Sequence, residues 1–261
     1  LQRPLWLDEV VTQLVAHGPR GIVHAMRSGV DFQPPPHYSL VWMADTISGT
    51  GSPFSARLPS VIAAALTILL LGATLRTRLS FASALAGALA LAAHPLFVGQ
   101  AVEARPYALW TLATILTAEC LRTNRRGSAW LAAGAAIALS TSHYFGVLTL
   151  ATVVVAAVGH ARFARAASWT AALRSAAPLA AGGGALLALL PLARAQLVAT
   201  AGRSWVAPAT AGDIVYFLGF IWGWRPALFL IVAGALTLAA RRVPPLAARL
   251  PRADGVTLDV T

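Results

Sequence analysis

The sequence predicts an all-α protein: a polytopic membrane helix bundle of about seven spanning helices, with short juxtamembrane helices in its first outer loop. The 261 residues have a mean hydropathy of +0.69, and only 11% of them are charged. A soluble domain carries about 25% charged residues. Several windows without charge approach or exceed the ~20 apolar residues that a spanning helix needs. These windows are residues 58–75, 79–102, 127–161 and 175–193, of which 127–161 is long enough for two helices.

The positions of the arginines predict a topology. All 20 basic residues are arginine, and they cluster between the apolar runs. This pattern is typical of topology signals rather than of a phosphate-binding face, so the net charge of +11 does not indicate a nucleic-acid partner. If the clusters that follow the apolar runs are cytoplasmic, alternate loops lie on the outer side. The outer side then holds residues 1–57, 99–105, 140–143 and 194–225.

Three parts of the chain are predicted. Residues 1–56 form an outer-face loop with juxtamembrane helices and candidate catalytic acids, residues 57–242 form the transmembrane bundle, and residues 243–261 form a cytoplasmic tail. In the first part, "LDEVVTQLVAHG" predicts a short amphipathic helix with Val10, Leu14 and Val15 on one side. Because no apolar run precedes Trp6, the chain is expected to be a fragment with a truncated tail.

Two adjacent acids, Asp8 and Glu9 in "WLDEV", lie on the predicted outer face. Neighbouring carboxylates can bind a divalent metal or remove a proton as a general base. The same pair also suits the first turn of a helix, where the helix dipole stabilises negative charge. The residues alone leave both interpretations open.

The proline-rich segment "QPPPHYSL" holds Gln33 and His37 in a rigid setting, since proline leaves a loop little conformational entropy to lose. His37 is a candidate metal ligand together with Asp8 and Glu9. It could equally be a hydrogen-bond donor to a phosphate, or an interfacial polar residue. A guanidinium matches phosphate oxygens in a fork. The outer arginines are therefore candidate phosphate-binding residues: Arg57, Arg105, Arg203 and Arg225.

The loop "EARPYAL" carries Glu103, Arg105 and Tyr107 between two predicted crossings. An ionisable residue at this depth of a membrane protein is a candidate for function. The alternative is a salt bridge that closes the loop, between Glu103 and Arg105 or with Arg57. The turn "SHYFG" places His143 on the same predicted face, as a candidate binding residue or as the cap of a helix turn.

Taken in order, "LWLDE", "QPPPHYSL", "ARLPS", "EARPYAL" and "SHYFG" resemble the motifs of polytopic glycosyltransferases of the GT-C class. The sequence is most similar to the bacterial branch of the dolichyl-phosphate-mannose–protein mannosyltransferase family (glycosyltransferase family 39). This branch includes lipopolysaccharide-core sugar transferases and aminoarabinose transferases. The resemblance runs from Leu5 to about Gly146 and is not specific for a substrate.

The resemblance implies an enzyme of the bacterial inner membrane that moves a sugar from a polyprenyl-phosphate donor to an acceptor on the outer face. The acceptor can be a lipid, a polysaccharide or a protein. In the family, the acid of the first outer loop acts as base or metal ligand, which corresponds to Asp8 with Glu9 beside it. The later loop carboxylate corresponds to Glu103, with Arg105 and Tyr107 completing the motif. Gln33 stands where the family often has histidine before two prolines, and His37 is the candidate substitute.

Two other functions fit a polytopic membrane protein. A transporter or flippase would carry acids and bases deep within its helices, whereas the charges here cluster at the ends of the apolar runs. An inactive truncated membrane protein is the third interpretation, because the chain is expected to lack the first spanning helix of the family.

Overall fold

The structure, a computed structural model, describes residues 4–31, 33–123, 128–164 and 167–200, together with 210 and 212. These residues form helices, turns and loops and contain no strand, so the prediction of an all-α fold is confirmed. The chain divides into two units, Leu1–Ser204 and Trp205–Thr261. The helices α1–α11 described below all belong to the first unit. The part of the predicted bundle after residue 212 and the predicted tail 243–261 lie outside the described residues.

Three short helices occupy the first fifty residues: α1 (Leu7–Val15), α2 (Pro19–Ser28) and α3 (Pro36–Ser48). Proline opens α2 and α3, where the missing N–H needs no intrahelical partner. Gly29 and Gly49 end them in the left-handed conformation, with φ of 67° and 68°. With 9, 10 and 13 residues, these helices are too short to cross a bilayer.

Helix α1 is amphipathic in an unexpected sense. The sequence predicted an apolar side made of Val10, Leu14 and Val15. The structure buries Val15, but Leu14 is 69% exposed and the other fully buried residues of the helix are Glu9 and Thr12. The inner face of α1 is therefore partly polar, because it meets charged side chains from later in the chain.

Longer apolar helices follow. Helix α4 begins at Pro53 behind the N-cap Ser52, whose side chain accepts a hydrogen bond from the Ser55 N–H. A π-helical turn, His160–Ala164, continues α9, and a 3₁₀ turn, Ala177–Leu179, precedes α11. The helices are α4 (Pro53–Arg76), α5 (Phe81–Ala92), α6 (Pro95–Ala101), α7 (Tyr107–Thr123), α8 (Ser128–Ser142), α9 (Gly146–Gly159), α10 (Trp169–Ser175) and α11 (Ala180–Thr200).

The predicted number of about seven spanning helices is not confirmed. Among the described residues, three helical stretches are long and apolar enough to span: Pro53–Arg76, Gly146–Phe163 and Ala177–Ala199. The window 79–102 was predicted as one crossing, but α5 and α6 meet there at a bend of 65° and count as at most one broken span. The bend lies before Pro95, which has no N–H to continue the helix.

Packing between the helices determines which loops meet. Helix α7 packs against α4 and α8, α8 packs against α11, and the short helices α2 and α3 lie against α11 and α4. Small residues permit the closest approach: a Cβ on Gly182 would lie 2.7 Å from the Ala136 carbonyl oxygen. The start of α4, the loop before α7 and the turn after α8 therefore converge on the first fifty residues.

Candidate functional site

A buried ion pair joins α1 to the start of α4. The Arg57 guanidinium donates to both oxygens of the Glu9 carboxylate, from Nε at 2.8 Å and from Nη2 at 2.6 Å, and both side chains are fully buried. Glu9 also accepts from the backbone N–H groups of Trp6 (3.2 Å) and Ala104 (2.9 Å). Burial acts to raise the pKa of Glu9, but these donors outweigh it and hold the pKa below its usual range. Glu9 is thus an ionised clamp on three separate segments.

A second charged group is centred on Arg105. Its Nη1 donates to Asp31 Oδ2 at 2.8 Å, and the Tyr38 hydroxyl donates to the same oxygen at 2.6 Å. Burial alone acts to lower the pKa of Arg105, but the charge of Asp31 opposes it and the net shift is upward. Burial and the Asp31 charge also raise the pKa of Tyr38. The guanidinium therefore stays charged while almost fully buried.

Asp8 differs from its neighbour Glu9 in its exposure to solvent and in its distance from the nearby guanidinium group. Its side chain is 37% exposed, and its Oδ2 lies 4.0 Å from Arg105 Nη2. Adjacent residues on a helix are about 100° apart, so one acid faces inward and the other faces the edge of the site. Asp8 is thus a solvent-accessible carboxylate beside a fixed positive charge.

Glu103 and Tyr107 flank Arg105, Glu103 in the loop before α7 and Tyr107 as the first residue of α7. Glu103 is half-buried and interacts electrostatically with Arg57. Tyr107 is also half-buried, and its ring lies 5.6 Å from the His143 ring. Glu103 thus lies on the side of the ion pair, and Tyr107 lies on the side of the turn after α8.

His143 is enclosed by aromatic rings. It stacks on Trp110 at 5.1 Å and on Phe145 at 5.2 Å between ring centroids. Its Nδ1 accepts the Phe145 N–H at 3.0 Å, so the neutral ring carries its proton on Nε2. That nitrogen lies 3.5 Å from the Gln33 amide nitrogen, and the buried Gln33 Oε1 has no hydrogen-bond partner among the described residues. If the Gln33 amide is turned by 180°, its Oε1 accepts a hydrogen bond from the His143 Nε2–H.

His37 lies at the start of α3 and is 1% exposed. Neither ring nitrogen has a hydrogen-bond partner among the described residues. The Ala104 backbone lies close to the ring but not in hydrogen-bonding geometry. Burial first, and then the Arg105 charge, lower the pKa of His37 to about 4. Across the described residues, no three His, Cys, Asp or Glu side chains come together as a metal site. Since Glu9 is fully engaged, the predicted set of Asp8, Glu9 and His37 does not provide a ready set of metal ligands.

Gln196 on α11 binds the first segment to the bundle. It is fully buried, and its Nε2 lies 3.1 Å from the Asp31 carbonyl oxygen and 3.4 Å from that of Gln33. Its Oε1 accepts from the Tyr144 hydroxyl at 2.5 Å. The Gln196 amide thus joins the Asp31 loop to the turn after α8. In this way it links the two sides of the site.

We expect Gln196→Leu to lower the thermal stability of the full chain. The substitution removes the hydrogen bonds that Gln196 makes to two backbone carbonyls and one hydroxyl, and a buried hydrogen bond lost in this way costs about 1–3 kcal/mol. Thermal unfolding in detergent measures the effect, with Val198→Ala as control, since Val198 is on the same helix and 68% exposed. Equal melting temperatures for the two variants would contradict the role given to Gln196.

The two site histidines predict a pH dependence of stability. Burial, followed by the Arg105 charge, also lowers the pKa of His143 to about 4. An unfolded histidine titrates near 6.5, so the unfolded chain binds protons first, and stability falls as the pH drops from about 6.5 towards 4. The melting temperature should be flat above about pH 7 and fall below it, less steeply in His143→Gln. A flat wild-type profile between pH 7 and 4.5 would show that these histidines are not buried in neutral form.

Those predicted site residues that the structure describes therefore lie together at one end of the helices. It also adds residues to which the sequence assigned no role, chiefly Asp31, Trp110 and Gln196. A polar amide close to Arg194 near the end of a largely apolar helix was the available signal for Gln196. Arg203 and Arg225 lie outside the described residues.

Comparison with known proteins identifies a family. A family model described as dolichyl-phosphate-mannose-protein mannosyltransferase matches residues 33–193, more than half of the chain. The match includes Gln33, His37, Arg57, the loop with Glu103 and Arg105, and His143. No curated protein and no solved structure matches the chain.

Proposed function

Because the chain belongs to the dolichyl-phosphate-mannose-protein mannosyltransferase family, we propose that it transfers a sugar from a polyprenyl-phosphate donor to an acceptor on the outer face of a bacterial inner membrane. The family is one of GT-C glycosyltransferases. The observation that carries the proposal is the contrast between two neighbouring acids, of which Glu9 is buried and paired while Asp8 is accessible beside Arg105.

Asp8 is the proposed general base. In this role its carboxylate takes the proton of an acceptor hydroxyl, while the acceptor oxygen forms a bond to the anomeric carbon of the sugar. The bond from that carbon to the phosphate oxygen breaks, and polyprenyl phosphate leaves. Such proton transfer contributes a factor of roughly 10²–10⁴ to the rate. Partial exposure suits a base that must reach an incoming substrate.

Arg105 is the proposed partner of the donor phosphate. Its Nη2 lies 4.0 Å from Asp8, and its Nε is buried with no hydrogen-bond partner among the described residues. A fixed guanidinium offsets the charge that develops on the leaving phosphate. Asp31 and Tyr38 hold this guanidinium in place.

The remaining predicted residues have supporting roles in this proposal. Glu9 and Arg57 hold α1, α4 and the Ala104 loop together, and Glu103 adds a negative charge near Arg57. The other predicted residues, Gln33, His37, Tyr107 and His143, form a polar and aromatic wall for sugar or phosphate groups. No step is assigned to a divalent metal, because the donor set described above does not fit one.

The proposal is tested by reconstituting the full chain into vesicles with labelled polyprenyl-phosphate sugars and candidate acceptors. We expect labelled sugar to move to an acceptor with release of one polyprenyl phosphate per transfer. Movement of the intact donor between leaflets without cleavage would favour a flippase. Neither transfer nor movement, from folded protein with every donor, would favour an inactive protein.

The outer-face placement has its own test. The chain has a single cysteine, Cys120, which is buried, so an introduced cysteine can be labelled selectively. In intact cells, a membrane-impermeant thiol reagent should label Leu14→Cys, on the exposed side of α1, but not Ser80→Cys, at the end of the bundle away from the site. The opposite labelling pattern would place the site on the cytoplasmic side.

A further inference from the structure

A pocket lies at the end of the bundle opposite the candidate site. Helices α4 and α7 both begin at the site, with Arg57 and Tyr107 near their starts, and lead away from it for 24 and 17 residues. At 1.5 Å per residue, α4 is about 36 Å long. Where these helices end, α7, α9 and α10 enclose a cavity of about 350 Å³.

The lining of this pocket has two distinct parts. Its polar rim is formed by Arg78, Arg122, His160 and Ser175. Its wall is apolar and leads along α7 and α9 towards Val153, two helical turns from His160. Since Gly146–Phe163 is a candidate span, the wall lies at the depth of hydrocarbon and the rim lies at its edge. The polar rim and the apolar wall of the pocket thus match the polar headgroup and the apolar chain of a lipid molecule.

The charge around the rim is positive. The only acid here among the described residues is Glu119, which pairs with Arg122 at 2.5 Å and interacts electrostatically with Arg78. One carboxylate is therefore shared by two guanidinium groups of the pocket. The described arginines at this end of the bundle are Arg76, Arg78, Arg122, Arg162 and Arg174.

We infer that this pocket binds the headgroup of an anionic phospholipid in the leaflet opposite the candidate site. The lipid phosphate contacts Arg78 and Arg122 at the rim, and one acyl chain lies along the wall at Leu121 and Val153. Basic pockets between membrane helices on the cytoplasmic side select such headgroups, and a soluble phosphate would gain nothing from the apolar wall. The inference is independent of the proposed sugar transfer.

The test measures lipid retention by the full chain. Protein is equilibrated in nanodiscs that contain equal amounts of phosphatidylglycerol and phosphatidylcholine, and the lipids retained after gentle extraction are counted by native mass spectrometry. We expect the wild type to retain phosphatidylglycerol preferentially. Arg78→Gln should reduce that preference about fivefold, the contribution of one arginine near a membrane surface. Ala156→Trp, which fills the pocket and keeps every charge, should reduce it as well.

Arg174→Gln is the matched control, because Arg174 lies at the same end but does not line the pocket. It should retain phosphatidylglycerol as the wild type does, and millimolar glycerol phosphate should not displace the lipid. Equal losses in Arg78→Gln and Arg174→Gln would show a diffuse surface charge instead of a site. Equal retention of both lipids by the wild type, full retention by Ala156→Trp, or displacement by glycerol phosphate would also overturn the inference.

Discussion

Arg57→Leu is expected to destabilise the full chain by about 3–5 kcal/mol, the typical cost of leaving one partner of a buried ion pair without the other. Both side chains of the pair are fully buried, and the Nη2–Oε2 distance is 2.6 Å. Glu9 would keep the N–H groups of Trp6 and Ala104 but lose its counter-ion. Thermal unfolding in detergent measures the change, and Arg20→Leu is the control, since Arg20 lies on the exposed side of α2.

The double variant Glu9→Leu/Arg57→Leu separates charge from packing. Replacing both partners of a buried pair by apolar residues is often neutral or stabilising, so the double variant should be more stable than Arg57→Leu alone. It should still lose activity, because the Ala104 loop is no longer held by the Glu9 carboxylate. If Arg57→Leu and the Arg20→Leu control have the same melting temperature, the ion pair does not hold the first segment to the bundle.

Asp8→Asn is expected to reduce sugar transfer by roughly 10²–10⁴-fold, the usual contribution of general-base catalysis. The amide keeps the size of the side chain but cannot take the acceptor proton. Because Asp8 is partly exposed and its Oδ2 lies 4.0 Å from Arg105 Nη2, loss of its charge should leave the melting temperature nearly unchanged. The measurement is the single-turnover rate of sugar transfer at equal amounts of folded protein.

Asp45→Asn serves as the control for that experiment. Asp45 is an acid of the same segment, but its carboxylate accepts from the Ser55 hydroxyl on α4 and lies outside the site. Its substitution should leave transfer within about twofold of wild type, a difference below 0.5 kcal/mol. Wild-type turnover in Asp8→Asn would remove Asp8 from the mechanism and leave the Arg105 site without a base.

Local chemistry made the helical fold predictable. Proline at the first helical position and glycine after the last mark α2 and α3, and charge-free windows mark α4 and α9. The bend before Pro95 was accessible in principle, since proline cannot donate within a helix. Among the described residues, fewer spans are found than the charge-free windows suggest, because such a window does not state how much of it is one straight helix, and α8, with 15 residues, is shorter than a typical span.

The organisation of the site was only partly predictable. The sequence pointed to Asp8 and Glu9 together but could not show which acid faces inward, because the choice depends on Arg57 and Ala104, distant in the chain. Asp31 is 74 residues from its partner Arg105, and Gln196 is 165 residues from the Asp31 carbonyl it binds. Partners at such separations are set by the packing of α4, α7 and α11, and no local pattern encodes them.

In the proposed function, Asp8 and Arg105 act in the same reaction step, Asp8 on the acceptor hydroxyl and Arg105 on the donor phosphate, although 97 residues separate them in the sequence. A double-mutant cycle in kcat/KM for sugar transfer, with Asp8→Asn, Arg105→Gln and the double variant, tests it most directly. Groups that act as a unit are non-additive, so the double variant should lose little more than the worse single variant. Losses that multiply, at equal amounts of folded protein, would mean that the two side chains act independently and would contradict a single site.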